Sequence, residues 1–202
     1  MKIIVWNSQD KCVADYHRLI RGCDVLCLLD CGQWTVPMYA LQIQKGLFHW
    51  KVEHEGLSYD IFYCLEKVAF VCRDGLYSGE SVLYSIHSNI GSLIGIRLQD
   101  DFWLFAHHEP NLVNAYHIGE FYLREISDRF RKAVVYSRNF KKKSYSWVQE
   151  TVGKLYCIAL PEGYYPHTVN YLFTIHVACT DLYLLEGYSE TSNQPTFFEL
   201  DI

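Results

Sequence analysis

The sequence has no Cys-x-x-Cys pair, no long apolar run, little methionine and no excess of positive charge. Each shortage closes a class of protein. Without Cys-x-x-Cys, its eight cysteines lack the spacing of a zinc site or a dithiol redox motif. Nothing approaches the roughly 20 apolar residues of a membrane-spanning helix, and the opening residues carry neither the basic start nor the small-residue cleavage site of a secretory leader. A reducing, cytoplasmic setting is therefore expected, with no membrane partner. Lys and Arg number 18 against 23 Asp and Glu, a formal net charge of −5. That balance argues against a general nucleic-acid binder, whose affinity comes mainly from phosphate neutralisation. No repeat and no low-complexity linker divides the chain.

What is present is a chain of 202 residues, 50% hydrophobic, with a mean hydropathy near zero at −0.04. That suffices for one large domain over residues 1–202 with a sizeable core. With 16 Tyr and 11 Phe against 2 Met, the core and its rims are expected to be aromatic. Cys23, Cys27 and Cys31 recur every four residues, and most of the cysteines sit inside apolar runs. They read as buried free thiols, small hydrophobes in effect, rather than as a metal cluster.

Lys2–Asn7 holds three β-branched residues in succession and predicts a strand buried on both faces, stopping at the polar Asn7-Ser8-Gln9-Asp10. Asp10–Arg21 has helical spacing and Gly22 to end it. Asp24–Leu29 is a second buried strand, broken at Asp30-Cys31-Gly32. Trp34–Leu47 reads equally as a short helix or a loop. Tyr59–Leu65 and Val68–Cys72 predict a hairpin about Glu66-Lys67, with further strands at Ser81–Ser85, Leu93–Leu98 and Phe102–His107. Ala115, Ile118, Tyr122, Ile126 and Phe130 form one apolar stripe, the longest helix. Lys132–Tyr136 returns to strand and breaks at Ser137-Arg138-Asn139. Tyr145–Leu155 reads as helix and Tyr156–Leu160 as extended. Val169–Ala178 and Asp181–Leu185 read as a hairpin, and Thr196–Leu200 as a last strand. The order implies an α/β protein of two mixed β-sheets packed face to face with flanking helices.

Five strand ends carry polar residues that suit a site: Trp6-Asn7, Asp30-Cys31-Gly32, Phe105-Ala106-His107, Ser137-Arg138-Asn139 and Ser192-Asn193-Gln194. In this order they resemble the endonuclease/exonuclease/phosphatase superfamily, with its deoxyribonuclease I-like sandwich, and most nearly the nuclease subunit of cytolethal distending toxin. That pattern runs Trp-Asn, Gln-Glu, His, Gly-Asp-x-Asn, Leu-Asp-Tyr and Ser-Asp-His. The resemblance implies a divalent cation, normally magnesium, on the acid of Gln-Glu. It also implies an attacking water oriented by the Asp of Gly-Asp-x-Asn, and a His against the scissile phosphate held by the Asp of Leu-Asp-Tyr.

Matched by position, the chain keeps Asn7, His107 and Asn139. It departs at Asp30, one methylene shorter than Glu, and at Ser137, which replaces the water-activating Asp. Asn170 replaces the Asp of Leu-Asp-Tyr, and Asn193 and Gln194 replace the Asp-His of the final motif. An Arg of the toxin nucleases becomes Gly91. Both halves of the His–Asp dyad are thus neutralised together, as in a site whose scaffold outlives its metal chemistry.

The expected function is therefore a catalytically degenerate, binding protein that uses no cofactor. A remodelled phosphodiesterase around Asn7, Asp30, His107 and Asn139, using magnesium with Asp30 as its ligand, is one alternative. A toxin-associated or immunity-type scaffold is the other. A protein is the expected partner, with nucleic acid a weaker one. The binding set is Trp34, Arg138, Lys141, Tyr164, Tyr165 and His167, with Tyr136 at the mouth, although the Pro-bounded loop holding Tyr164, Tyr165 and His167 reads equally as a cover for the sheet. Lys141-Lys142-Lys143 suits a solvated loop at least as well as a phosphate contact. Of His107 and His108, one is expected to point inward and the other to lie in a loop, since neighbours on a strand face opposite ways.

Overall fold

The structure, a computed structural model, describes residues 1–8, 13–65, 68–85, 92–108, 125–126, 128–140, 154–158, 169–185 and 195–202. In chain order its elements begin with β1 (Lys2–Asn7), α1 (Val13–Ile20), β2 (Val25–Leu29), β3 (Leu41–Gln44), β4 (Leu47–His54), β5 (Leu57–Cys64) and β6 (Val68–Arg73). They continue with β7 (Tyr77–Ser85), β8 (Ser92–Leu98), β9 (Phe102–His108), β10 (Lys132–Phe140), β11 (Lys154–Ile158), β12 (Val169–Ile175), β13 (Ala178–Leu184) and β14 (Thr196–Asp201).

Two mixed sheets result. The first has eight strands in the order β13-β14-β1-β2-β6-β5-β4-β3, and the second six in the order β11-β12-β10-β9-β8-β7. β1 explains the layering. Its Ile3, Ile4, Val5 and Trp6 are all at most 3% exposed, so neither face of the strand meets water. Ile3 and Val5, with Val25, Cys27 and Leu29 of β2, meet Ile94, Ile96, Leu104 and Val134 of the second sheet in the inter-sheet core. Ile4, Trp6, Leu26 and Leu28 face the other way, against Leu19 and Ile20 of α1. A strand with two apolar faces needs two covering layers, and the sandwich supplies both. α1 stops where the Gly22 N–H donates to the Leu19 carbonyl at 3.0 Å.

The second sheet also has an outer aromatic layer. Gly95 of β8 lies opposite Phe105 of β9. A Cβ at Gly95 would stand 2.3 Å from the Phe105 ring, so only glycine fits beneath it. Phe105 in turn packs between Trp103 and Phe130, with ring centroids 5.7 and 5.0 Å away.

Several expectations need correction. Trp34–Leu47 is neither a helix nor one loop, because β3 and the start of β4 lie within it. Within β4, Phe48, Trp50 and Val52 face the outer core, while His49 and Lys51 share the inward parity of Leu47. These two are tolerated because His49 Nε2 meets buried Asp60 at 2.8 Å and Lys51 Nζ meets Asp74 at 2.6 Å. The Val169–Ala178 and Asp181–Leu185 pair is not a hairpin. β12 pairs with β10 and β11 in the second sheet, while β13 pairs with β14 in the first. The chain crosses between sheets at His176, whose φ of 51° turns it sharply, and at buried Val177. Ser137–Asn139 do not end their strand, since β10 continues to Phe140 with a register shift between Ser137 and Phe140. Leu155 is strand rather than helix, and His108 closes β9 rather than lying in a loop. Most of the expected helix over residues 111–130, and residues 145–153, lie outside the described residues. No helix among the described residues is long and apolar enough to cross a membrane.

Cys23, Cys27 and Cys31 do not share a face. Cys27 enters the inter-sheet core, and Cys23 and Cys31 the outer one. All three are free, as are Cys64, Cys72 and Cys179. Burial pushes the Cys23 thiol up to about 12 and holds Cys27 and Cys72 well above the usual range. Alkylation under denaturing, non-reducing conditions is expected to add a label at each of the eight cysteines in the sequence; six or fewer would reveal a disulfide. The same groups set a pH dependence. Unfolded thiols ionise from about pH 8.5 while the buried ones keep their protons, so stability falls as pH rises above that point.

Candidate functional site

The pairing register carries the candidate residues to strand ends. β1 and β2 are parallel with Asn7 opposite Leu29, so Asn7 and Asp30 leave the same end of the first sheet. β9 and β10 are parallel with Ser137 opposite His107. β12 runs antiparallel to β10 with Tyr171 opposite Ser137, which starts β12, and Asn170 with it, at that same end of the second sheet. β14 is antiparallel to β1 with Thr196 opposite Val5, so it starts at the Asn7 end. Asn193 and Gln194 lie outside the described residues, as do Lys141, Tyr164, Tyr165 and His167.

Asn7 shares the parity of Ile3 and Val5, the inter-sheet face, and its Oδ1 is buried without a hydrogen-bond partner among the described residues. A buried carbonyl in that state is costly unless something donates to it. The next residue is locked: the Ser8 N–H donates to the Leu29 carbonyl at 3.0 Å, and Tyr16 donates its hydroxyl to Ser8 Oγ at 3.1 Å.

Asp30 sits in the left-handed region with φ 51°, followed by Gly32 at φ 79°. Asp and Asn tolerate this backbone better than longer side chains, because a short polar group can bond locally. The turn gives a physical reason for aspartate where the resembled pattern has glutamate. Tyr63 pins the segment that follows. Its hydroxyl donates to the Gly32 carbonyl at 3.1 Å and accepts the Trp34 N–H at 3.1 Å, while its ring stacks on Trp34 at 5.5 Å. Tyr63→Phe removes both bonds inside a buried site. A loss of about 1–2 kcal/mol in chemical denaturation is expected, with faster amide exchange at Gly32–Trp34; unchanged exchange would show that the segment is held by other contacts.

His107 is 2% exposed, paired in the sheet with Leu93 and Ser137, and is not a surface group. Tyr136 is 4% exposed within the inter-sheet core, so it does not line a mouth. Trp34 packs on the outer face of the first sheet against Tyr16, Trp50 and Tyr63, away from the face that Asn7 shares. Sequence reasoning missed Tyr63 and Tyr16, the residues that hold this end rigid. Their signal was only an alternation of aromatics that also suits plain core.

These donors do not fit a resident magnesium ion. Such an ion takes about six oxygens in near-octahedral order and draws its affinity from carboxylates. Asp30 is the single acid among the matched positions, and no group of three or more His, Cys, Asp or Glu among the described residues is placed to hold a metal.

The whole chain matches solved structures of very different sequence. TDP2 of D. rerio, complexed with a single-strand DNA product, aligns over 100% of this chain and 99% of its own at 11% identity, with a TM-score of 0.58. A 3'-5' exonuclease from Neisseria meningitidis covers 100% of both chains at 14% identity, with a TM-score of 0.54. An endonuclease/exonuclease/phosphatase family protein from Bacteroides thetaiotaomicron covers 99% of this chain and 97% of its own at 10% identity, with a TM-score of 0.50. No protein-family model matches the chain, and no curated protein matches it by sequence. The chain has the deoxyribonuclease I-like sandwich fold that these structures share. The narrower likeness to toxin nucleases rests on the sequence motifs alone.

Proposed function

We propose that the chain is a catalytically degenerate relative of the metal-dependent phosphodiesterases, and that it works by binding a protein partner at the strand ends that carry Asn7, Asp30, Ser137, Asn139 and Asn170. One observation supports this reading most. The strand register brings Asn7 and Asp30 to one end of the first sheet and Ser137 and Asn170 to one end of the second, and among the residues named Asp30 is the sole acid, the others being amides and a hydroxyl. Neutral amides can donate to and accept from a peptide without the desolvation cost of a cluster of carboxylates. The unpartnered Asn7 Oδ1 is suited to accept a donor from such a partner.

Arg138, Lys141, Tyr164, Tyr165 and His167 supply the aromatic and basic side chains that anchor interfaces. Trp34 packs on the outer face of the first sheet. The partner's contacting segment would be acidic, because steering follows the local field rather than the net charge of −5. Nucleic acid is the weaker partner, because a formal net charge of −5 offers little phosphate neutralisation. Arg138→Glu combined with Tyr165→Ala is expected to abolish co-purification of the main partner from the native host while leaving the melting temperature within about 2 °C of the parent. Retention of every partner would move the working surface elsewhere and favour an immunity-type scaffold that uses only the shape of the fold.

A further inference from the structure

The outer face of the first sheet is only partly covered by α1. Between α1, the segment after β2 and strands β4 and β5 lies a cavity of about 530 Å³, within the usual range for small-molecule sites. Its floor is apolar, formed by Leu26, Val52, Ile61 and Val71, and its wall is aromatic, formed by Tyr16 and Trp34. These two rings lie 6.1 Å apart, inclined by 40°. Their polar ends are already engaged, the Tyr16 hydroxyl by Ser8 and Trp34 Nε1 by the Cys31 carbonyl at 3.1 Å. What they offer a ligand is fixed π-surface.

Tyr59 differs from them. It is 2% exposed and lines the same cavity, yet its hydroxyl bonds to no other described residue. Nor is that oxygen among the fully enclosed, unpartnered atoms of the described residues, so it stays open to a small molecule. A phenol buried to this degree normally finds a hydrogen-bond partner, and the cavity beside it is where one can enter.

Among the described residues, no unanswered charge faces this space. Glu53 follows the parity of Leu47, which enters the inter-sheet core, so its carboxylate belongs to the opposite face of the sheet. Arg21 pairs with Glu55, and His54 Nε2 lies 3.8 Å from the same carboxylate. Burial first, and then His54, holds His17 below the usual histidine range, which keeps it uncharged at neutral pH. No Lys or Arg among the described residues lines the cavity. An ion of either sign would leave water here without gaining a partner, which is costly.

We propose that this cavity binds an uncharged aryl alcohol, its ring on the apolar floor against the Tyr16–Trp34 wall and its oxygen hydrogen-bonded to the Tyr59 hydroxyl. The ring gains from burial and from contact with aromatic faces already held in place. The oxygen supplies the bond that Tyr59 lacks. The proposal stands apart from the strand-end site and does not depend on how that site is read.

The test compares four probes of similar size by calorimetry at neutral pH: 2-phenylethanol, ethylbenzene, 2-phenylethylammonium and 3-phenylpropanoate. The alcohol is expected to bind at least about tenfold more tightly than either ion, since a buried charge without a partner costs more than a hydroxyl that finds one. Tyr59→Phe should weaken the alcohol about fivefold, the scale of one neutral hydrogen bond, and leave ethylbenzene unchanged. Glu53→Gln should leave the order of the four probes as it is. Val52→Phe, which fills the floor, should abolish binding of both neutral probes, with the melting temperature of each variant showing that it is folded. The proposal is overturned if either ion binds as tightly as the alcohol, or if Glu53→Gln reorders the probes. It is equally overturned if Tyr59→Phe leaves the alcohol undiminished or weakens ethylbenzene as much, if folded Val52→Phe still binds, or if no probe binds at millimolar concentration.

Discussion

Supercoiled plasmid incubated with this protein and magnesium at neutral pH is expected to stay supercoiled. In the resembled pattern, water is activated by a carboxylate where this chain has Ser137, and the phosphate is met by a His–Asp dyad where it has Gln194 and Asn170. A hydroxyl has no proton affinity near neutral pH with which to take a proton from water. An amide pair cannot cycle a proton at all. Loss of a general base or acid typically costs about 10²–10⁴-fold in rate, and two such losses drop turnover below what a nicking assay detects. The variant that returns the missing acids and the histidine together (Asp30→Glu, Ser137→Asp, Asn170→Asp, Asn193→Asp and Gln194→His) is expected to gain metal-dependent nicking. Metal-dependent nicking by the unmodified protein, lost in His107→Ala, would establish a remodelled enzyme instead.

Trp6→Ala is expected to cost roughly 3–5 kcal/mol, the range for deleting a large buried aromatic. Trp6 is 1% exposed on β1, an interior strand of the larger sheet, and its ring meets Tyr16 edge-on at 5.8 Å. Its removal opens the outer core beneath α1, and a backbone paired on both sides by β2 and β14 cannot collapse to fill the space. For a chain of this size that loss lowers the thermal midpoint by on the order of 10 °C. Tyr39→Ala, at a side chain 72% exposed, serves as the control and should change little. If the two variants melt together, Trp6 is not part of the core that supports the strand ends.

The elements that sequence alone made legible share a physical property: both faces of the strand are apolar, as in β1, β2 and β6, or Gly closes a periodic helix, as at Gly22. Their patterns come from burial, which sequence records directly. His49 and Lys51 are the polar members of a regular alternation with Phe48, Trp50 and Val52, so β4 was legible and was overlooked, whereas β3 exposes both Leu41 and Gln42. Only the tertiary partners Asp60 and Asp74 explain how His49 and Lys51 are tolerated on the inward side. The false hairpin of β12 and β13 failed for another reason. Two adjacent strands with a short connection normally pair, but His176 turns the chain from one sheet to the other, and nothing local in the sequence announces that crossing.

The site was legible in part. The order of its strand-end residues pointed to the fold, and the parallel registers of β1 with β2 and of β9 with β10 follow from it. What could not be read was the left-handed backbone at Asp30 and the Tyr63 clamp behind it. Both are set by contacts distant in sequence. Tyr136 was misjudged for a similar reason, because a Tyr beside a polar turn reads as a rim residue until the strand is seen to continue through the turn.

The central claim is that the strand ends keep the frame of a phosphodiesterase without its metal chemistry, and magnesium titration tests it most directly. Calorimetry of the native protein and of Asp30→Ala, each at neutral pH, should give the same weak heats, with no saturation below several millimolar, because one carboxylate does not hold a hard dication. Saturable binding of magnesium below one millimolar that disappears in Asp30→Ala would contradict the account.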